Sequence, residues 1–192
     1  MHKYFLLRPK AKSRYLLLLM VLLMLLVAVM PAESASYNFP DALPTGCTVN
    51  YSKINTYSCG VLTLVDGDTV TIMTGAGSLT INFSGALTTG AGTNINLGGN
   101  VADLNLVLAG VLTLGDASTL IANVTTSAAV NLGAGSVVGG TVITNTPAGV
   151  VTTGDSSKVG GAINASEGAV TIGANSSVLD HITANVGVVT IG

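Results

Sequence analysis

The sequence predicts an all-β protein, a single-stranded right-handed parallel β-helix (β-solenoid) with about 19 residues per coil and a disulfide-stapled N-terminal cap. Three observations predict it: a short phrase that recurs in the C-terminal half, apolar residues at fixed places around that phrase, and a composition poor in charge and aromatic rings. Each copy of the phrase ends in a glycine, and a nearly fixed period of this kind is typical of solenoids. The closing glycines are Gly115, Gly133, Gly154, Gly173 and Gly192.

Four positions in every repeat are apolar, with Thr153 as the one polar exception. They lie three and one residues before the closing glycine, and five and nine residues after it. One polar residue separates the first two, which is the period of two of a β-strand, and no helical spacing persists. Stacking of coils about 4.8 Å apart then places like residues above like, so the inward Val, Ile and Leu form ladders. The right hand follows the preference of parallel crossovers.

Corners between the short strands are predicted at glycine pairs such as Gly139–Gly140 and Gly160–Gly161. We expect glycine there because it adopts positive φ without a Cβ clash. The segment from Gly60 to Gly110 is looser, and the interval from Gly90 to Gly115 exceeds every later repeat, which predicts enlarged coils in this region. At the average period, residues 60–192 would form about seven coils.

Composition narrows the class further. The chain has 192 residues, of which 48% are hydrophobic and 8% charged, with 24 Gly and no Trp. Such a composition excludes a charged disordered tail and does not suit an ordinary helical domain. No aromatic residue follows Phe83, which fits a narrow interior filled by aliphatic side chains.

Residues 1–36 are predicted to be a Sec-type signal peptide. A basic front precedes an uninterrupted apolar run, Tyr15–Met30. Both Ala32–Ser34 and Ser34–Ser36 place small residues at the two positions that a signal peptidase reads. We therefore expect export to the periplasm, the outer membrane and cell surface, or the medium. An uncleaved N-terminal membrane anchor stays open as the alternative, since the apolar run approaches the lower bound of about 17 residues for spanning a bilayer.

Cleavage would leave an acidic chain. Two cations, Lys53 and Lys158, would face eight acids, which gives a net charge of −6 for residues 37–192. This balance excludes a nucleic-acid partner and a basic membrane-surface binder. Contact with a membrane is predicted only through the N-terminal segment, if that segment is retained.

Residues 37–60 are predicted to be an N-terminal cap, followed by β-helix repeats over 61–192. In an oxidising compartment Cys47 and Cys59 are expected to form a disulfide that staples the cap. A solenoid end exposes strand edges and an apolar bore, and an aromatic segment with a disulfide can cover both.

A resemblance extends over nearly all of the chain after the leader. Ala42–Cys47, Thr56–Cys59, Leu79–Asn82 and the unit Ala169–Val178 resemble the N-terminal region of MshQ-like proteins of the MSHA (type IV) pilus system. The resemblance implies a non-enzymatic, exported structural protein, a cell-surface or pilus-associated spacer or assembly component with pilus or cell-envelope proteins as partners. It implies no catalytic residues. Members are similar to longer proteins, and the repeat stops at Gly192 in mid-unit, so a fragment or truncated product is expected.

Two other classes of function stay open. The repeats are similar in kind to bactofilins, which would make this chain a self-polymerising scaffold associating through its solenoid ends. Bactofilins usually lack a leader, which argues against this class. A carbohydrate-binding or carbohydrate-degrading β-helix is the third class. Such enzymes usually carry several acids on long loops, whereas the corners here are short and mostly neutral.

Few residues suggest chemistry. Asp66 and Asp68 flank Gly67 and could bind Ca²⁺ or act as paired carboxylates, although turn chemistry is the favoured interpretation. His181 beside Asp180 suggests a proton-transfer pair, for which a solvated corner is favoured. We therefore predict no catalytic, cofactor-binding or metal-binding residue and no cofactor. An outward column of mostly hydroxyl residues suggests ice binding, because regularly spaced hydroxyls can order water. Exposed Thr is nevertheless common on strand surfaces. That column is Thr113, Asn131, Thr152, Thr171 and Thr190.

Overall fold

The computed structural model describes residues 33–73 and 77–192. The predicted signal segment up to residue 32 lies outside the described residues. The described chain forms short strands and one 3₁₀ turn, Val101–Asp103, whose N-terminus is capped by Asn100. The strands are β1 (Ser36–Phe39), β2 (Cys47–Val49), β3 (Thr56–Cys59), β4 (Leu62–Leu64), β5 (Thr69–Ile72), β6 (Leu79–Phe83), β7 (Leu87–Thr89), β8 (Asn94–Ile95), β9 (Leu104–Leu108), β10 (Leu112–Leu114), β11 (Thr119–Leu120), β12 (Asn123–Thr126), β13 (Val130–Leu132), β14 (Val137–Val138), β15 (Val142–Thr144), β16 (Val151–Thr153), β17 (Lys158–Val159), β18 (Ile163–Ala165), β19 (Val170–Ile172), β20 (Ser177–Val178), β21 (Ile182–Ala184) and β22 (Val189–Ile191).

The strands stack into three sheets that enclose one bore. Sheet I contains β2, β3, β6, β9, β12, β15, β18 and β21; sheet II contains β4, β7, β10, β13, β16, β19 and β22; sheet III contains β1, β5, β8, β11, β14, β17 and β20. Each turn of the chain adds one strand to sheet I, then one to sheet II, then one to sheet III. Every pairing is parallel except that of β2 with β3. The predicted all-β parallel solenoid is therefore confirmed, while its right hand stays a prediction.

The turns are longer on average than the repeat predicts. Leu62, Leu87 and Leu112 lie above one another in sheet II, and each of these first two turns takes 25 residues, the same separation that joins Asp66 to Ala91. Later turns are shorter and take as few as 18 residues, as between Asp116 and Ala134. From Leu62 to Val189 the average is about 21 residues per turn over about six turns, instead of about 19 over about seven. The predicted enlarged coils are confirmed.

The four predicted apolar positions all point into the bore. In one turn the first two, Val130 and Leu132, come from sheet II, Val138 from sheet III and Val142 from sheet I, and all four are buried. A fifth inward position, eleven residues after the closing glycine, was missed because small or polar residues occupy it. Thr144 is one of them, and its hydroxyl donates to the carbonyl of Gly149 at 2.6 Å. A hydroxyl can occupy the core when it has a hydrogen-bond partner, as this one does.

The reason predicted for the corner glycines is wrong. Gly140 and Gly160 do not have positive φ. A Cβ on Gly140 would lie 2.3 Å from the carbonyl oxygen of Ala122, and one on Gly160 would lie 2.3 Å from that of Gly139. Glycine is needed at these corners because successive turns approach too closely for a side chain. Positive φ occurs elsewhere, two residues after the closing position, in Gly67, Gly92, Ala117, Gly135, Ser156 and Asn175.

The closing glycines before the last turn also lie too close to the preceding turn for a side chain. A substitution at one of them tests this explanation directly. A Cβ on Gly115 would lie 2.3 Å from the carbonyl oxygen of Gly90. We expect Gly115→Ala to lower the free energy of unfolding by about 1–3 kcal/mol, because the backbone of one turn must shift. Gly135→Asn is the control, since nothing lies within 4 Å of that position and Asn tolerates its φ of 66°. Equal losses in urea denaturation would contradict the close-approach explanation.

The N-terminal cap covers two of the three sheets. Strand β1 adds to sheet III beside β5, and β2 adds to sheet I beside β3. The Cys47–Cys59 disulfide joins β2 to β3, which confirms the predicted bond. Phe39 fills the bore and packs edge-on against Tyr57, with ring centroids 5.1 Å apart. On sheet II, no strand of the described chain precedes β4.

Candidate interaction surface

Asp66 and Asp68 do not form a shared site. The Oδ1 atom of Asp66 accepts a hydrogen bond from the amide of Ala91 in the next turn at 2.8 Å. Asp68 is buried and accepts from the amides of Val65 at 2.8 Å and Ala35 at 2.5 Å. Each carboxylate is therefore committed to backbone amides around its corner, as the turn-chemistry interpretation expects.

Asp66 begins a column in which Asp and Ala alternate from turn to turn. Asp116 and Asp155 likewise accept from the amides of Ala134 and Ala174 in the next turns, at 2.8 and 2.9 Å. Adjacent carboxylates would stand about 5 Å apart, whereas alternation separates them by about 10 Å, close to the screening length in physiological salt. The column, in order, is Asp66, Ala91, Asp116, Ala134, Asp155 and Ala174.

The same two-turn period appears at the opposite edge of sheet II. The residues just before its strands alternate between Val and Ala. Backbone hydrogen bonds between successive turns hold these residues above one another; the amide of Leu62, for example, donates to the carbonyl of Ala86 at 3.0 Å. Unequal turn lengths hid this period in the sequence. The column is Val61, Ala86, Val111, Ala129, Val150, Ala169 and Val188.

The outward face of sheet II is uncharged. The hydroxyl column predicted from the sequence is in register, and the structure extends it by two turns, to Thr63 and Thr88. Asn131 is the one member without a hydroxyl. The face therefore presents hydroxyl and methyl groups, with the carboxylates confined to its corner. The whole column is Thr63, Thr88, Thr113, Asn131, Thr152, Thr171 and Thr190.

Asp180 and His181 contact each other at an exposed corner. The Nδ1 atom of His181 lies 3.0 Å from Oδ1 of Asp180, and both side chains are well exposed. Solvent therefore screens this pair strongly. In residues 33–73 and 77–192 no three His, Cys, Asp or Glu side chains are grouped as metal ligands would be.

Two cavities near the N-terminal end are lined by described residues. A void of about 10 Å³ lies in the bore, where only apolar side chains such as Phe39, Phe83 and Leu106 line it. An open depression of about 390 Å³ lies beside the disulfide and is lined by Cys59, Asn82 and their neighbours. In the same described ranges, no helix has the length and apolar character to span a bilayer.

Exposed apolar side chains collect at the corner between sheets III and I, near the N-terminal end. Tyr51 is 95% exposed and Ile54 94%, and both lie on the loop before β3. Met73 is 50% exposed after β5, and Leu97 is 63% exposed after β8. We call these four residues the apolar corner. The extra residues of both enlarged turns fall between strands of sheet III and sheet I, from β5 to β6 and from β8 to β9.

Backbone and side-chain hydrogen bonds join neighbouring layers at this corner. The amide of Thr80 donates to the carbonyl of Asn55 at 2.9 Å, which joins the first two layers. The Nδ2 atom of Asn96 donates to the carbonyl of Ile121 at 2.9 Å, which anchors the loop of residues 96–103 to the following turn. Val101 in that loop covers the small corner residue Gly140. Sequence reasoning missed this surface because it treated the looser region only as irregular coils.

The structure defines a class: a three-sided parallel β-solenoid with a disulfide cap, an uncharged face on sheet II and an apolar corner near its N-terminal end. No protein family, curated protein or solved structure matched the chain.

Proposed function

We propose that this protein is an exported, non-enzymatic structural protein that acts as a rigid spacer or assembly component at the cell surface, within a type IV pilus system of the MSHA type. One observation carries the proposal: all three sheets run in register through the stack, around the four predicted apolar columns, of which only the second column of sheet II is interrupted, by Thr89 and Thr153. The pilus assignment rests on the resemblance of the cap and repeats to MshQ-like proteins.

The stack favours a spacer because bending it is costly. A bend would separate strands in at least one sheet and open the bore to water. Each turn buries about four large aliphatic side chains, each contributing roughly 1.5–3 kcal/mol. About six turns at about 4.8 Å each give a rigid reach of roughly 30 Å. Such a body holds two attached surfaces at a fixed separation.

The cap favours a spacer over a filament of stacked copies. At the N-terminal end β1 and β2 occupy the edges of sheets III and I. The antiparallel β2 is only three residues long and is tied to β3 by the disulfide. The next strand beyond β2 in a stacked second copy would have to pair with it in the antiparallel sense, and the outer edge of β1 already bonds to Ala42 through Asn38. Short, covered edges of this kind prevent edge-to-edge association.

The apolar corner is the surface we assign to a pilus or cell-envelope partner. Exposed large apolar side chains in one place are typical of protein interaction sites, and an aromatic residue often supplies much of the binding energy. Tyr51 and Ile54 are the most exposed members. Val186, Val188 and Ile191 are also well exposed, but they lie in the last turn of the described stack.

The test is complementation of a gene deletion. We expect loss of the gene to reduce pilus assembly or surface adhesion and the wild-type gene to restore it. The double variant Tyr51→Ser, Ile54→Ser should fold normally but fail to complement. Leu179→Ser is the matched control, because Leu179 is 62% exposed at the same corner but near the last turn. An unchanged phenotype after deletion would overturn the proposed role.

A further inference from the structure

Asp68 stands in a column of hydroxyl residues. In every later turn the third residue after the glycine that follows the sheet II strand is Ser or Thr. Asp68 occupies the equivalent position in the first turn. Asp68 is 2% exposed and is the one buried acid in the described part of the chain. The column continues with Thr93, Ser118, Ser136, Ser157 and Ser176.

A carboxylate cannot do what the hydroxyls in this column do. Ser118, Ser157 and Ser176 each donate to a backbone carbonyl of the preceding turn, at 2.8–2.9 Å. Asp68 instead accepts hydrogen bonds. Its Oδ1 atom accepts from the backbone nitrogen of Ala35 in the preceding layer. The column therefore has Asp in place of Ser or Thr at the turn where the preceding layer offers an N–H donor in place of a carbonyl acceptor.

Burial of this carboxylate calls for a positive partner. An ionised carboxylate is costly to bury unless it is paired. No Lys, Arg or His within residues 33–73 and 77–192 forms an ion pair with Asp68. Two neutral amides satisfy its geometry but supply no charge. A charged donor at the position of the Ala35 nitrogen would supply both.

We propose that the leader is cleaved between Ser34 and Ala35, and that Asp68 binds the α-ammonium group of Ala35 thus released. Hydrolysis of this peptide bond by water leaves a carboxylate on Ser34 and an ammonium on Ala35, 2.5 Å from Oδ1 of Asp68. This inference rests on the proposed export. The charge-assisted bond replaces a neutral one, so processing strengthens the attachment of β1 to the first turn.

Both candidate bonds follow suitable small residues, and the contacts of the first layer select the bond before Ala35. Ala32 and Ser34 are the small residues that a peptidase reads for a cut before Ala35. The alternative cut after Ser36 would remove the donor to Asp68 and the first pair of β1 with β5, Ser36 with Thr69. The carbonyl of Ala35 also accepts from the amide of Thr69 at 2.9 Å, which holds the new terminus in place.

N-terminal sequencing of the exported protein tests the cleavage. We expect the mature chain to begin at Ala35. A chain that begins at Tyr37 would overturn this inference and leave the proposed export standing. An intact N-terminus would overturn the cleavage itself and support the anchor alternative.

Acetylation of the purified protein tests the ion pair separately. The protein that begins at Ala35 is compared with its Nα-acetylated form, which keeps the N–H but loses the charge. We expect acetylation to lower Tm by several degrees, an effect that Asp68→Asn should abolish. Asp66→Asn, in the same corner, is the control, and acetylation should still lower the Tm of that variant. An equal acetylation shift with and without Asp68 would overturn the pair. If Asp68→Asn does not fold, Asp68→Ser, which restores the residue of later turns, replaces it.

Discussion

Removal of residues 154–172 is expected to give a shorter protein that still folds. This segment is one full turn, the step that separates Val151 from Val170 in sheet II. The deletion joins Thr153 to Gly173, and every column loses one member while the others keep their place. Because each turn of a solenoid contacts mainly its neighbours, the remaining turns can restack. We expect a β-rich circular dichroism spectrum and a cooperative thermal transition a few degrees lower.

A half-turn deletion is the control. Removal of residues 154–163 begins at the same bond and takes out fewer residues. It places Asn164 where a closing glycine is needed and moves the following residues to the wrong sheet. We expect loss of the cooperative transition and aggregation. If the two deletions behave alike, the stacked columns do not hold this fold together.

Leu112→Asp is expected to prevent folding. Leu112 is fully buried and stacks between Leu87 and Val130 in the bore. A carboxylate there would have neither a charge partner nor water. The cost exceeds about 4 kcal/mol, against a total stability of about 5–15 kcal/mol for a typical domain. Urea denaturation or a thermal melt of the purified variant measures the loss.

Thr113→Asp is the matched control for this variant. Thr113 is the next residue in the same strand, but it points outward from sheet II. The same charge there remains in contact with water, so we expect a change of about 0.5 kcal/mol. Similar losses for both variants would show that the two positions do not face opposite sides of the sheet.

The stack also suggests how a solenoid of this kind could change in length. Because one turn is the unit of both packing and sequence, whole-turn insertions and deletions change the reach without changing the core. The two-turn alternation of Asp and Ala adds a finer constraint. Loss of a single turn places two Asp or two Ala residues in adjacent turns of the column. Loss of two turns preserves the alternation of Asp and Ala.

The sequence alone determined the features that repeat locally. Alternation around Val130 and Leu132 predicted strands and their inward side, because a strand places neighbouring side chains on opposite faces. The long interval between Gly90 and Gly115 predicted the enlarged coils. The two cysteines predicted the disulfide, because an oxidising compartment leaves them few other partners.

Only the tertiary structure decided which residues lie above one another. Turns of unequal length bring together side chains that no fixed spacing connects, such as Asp66 with Ala91 and Asp68 with Ala35. The same effect assembled the apolar corner from Tyr51, Met73 and Leu97, which belong to three separate layers. It also showed that Gly140 is required by a close backbone approach and not by its φ angle. Local patterns specify the strand, but unequal turns specify which strands and side chains become its neighbours, because stacking depends on the length of each turn.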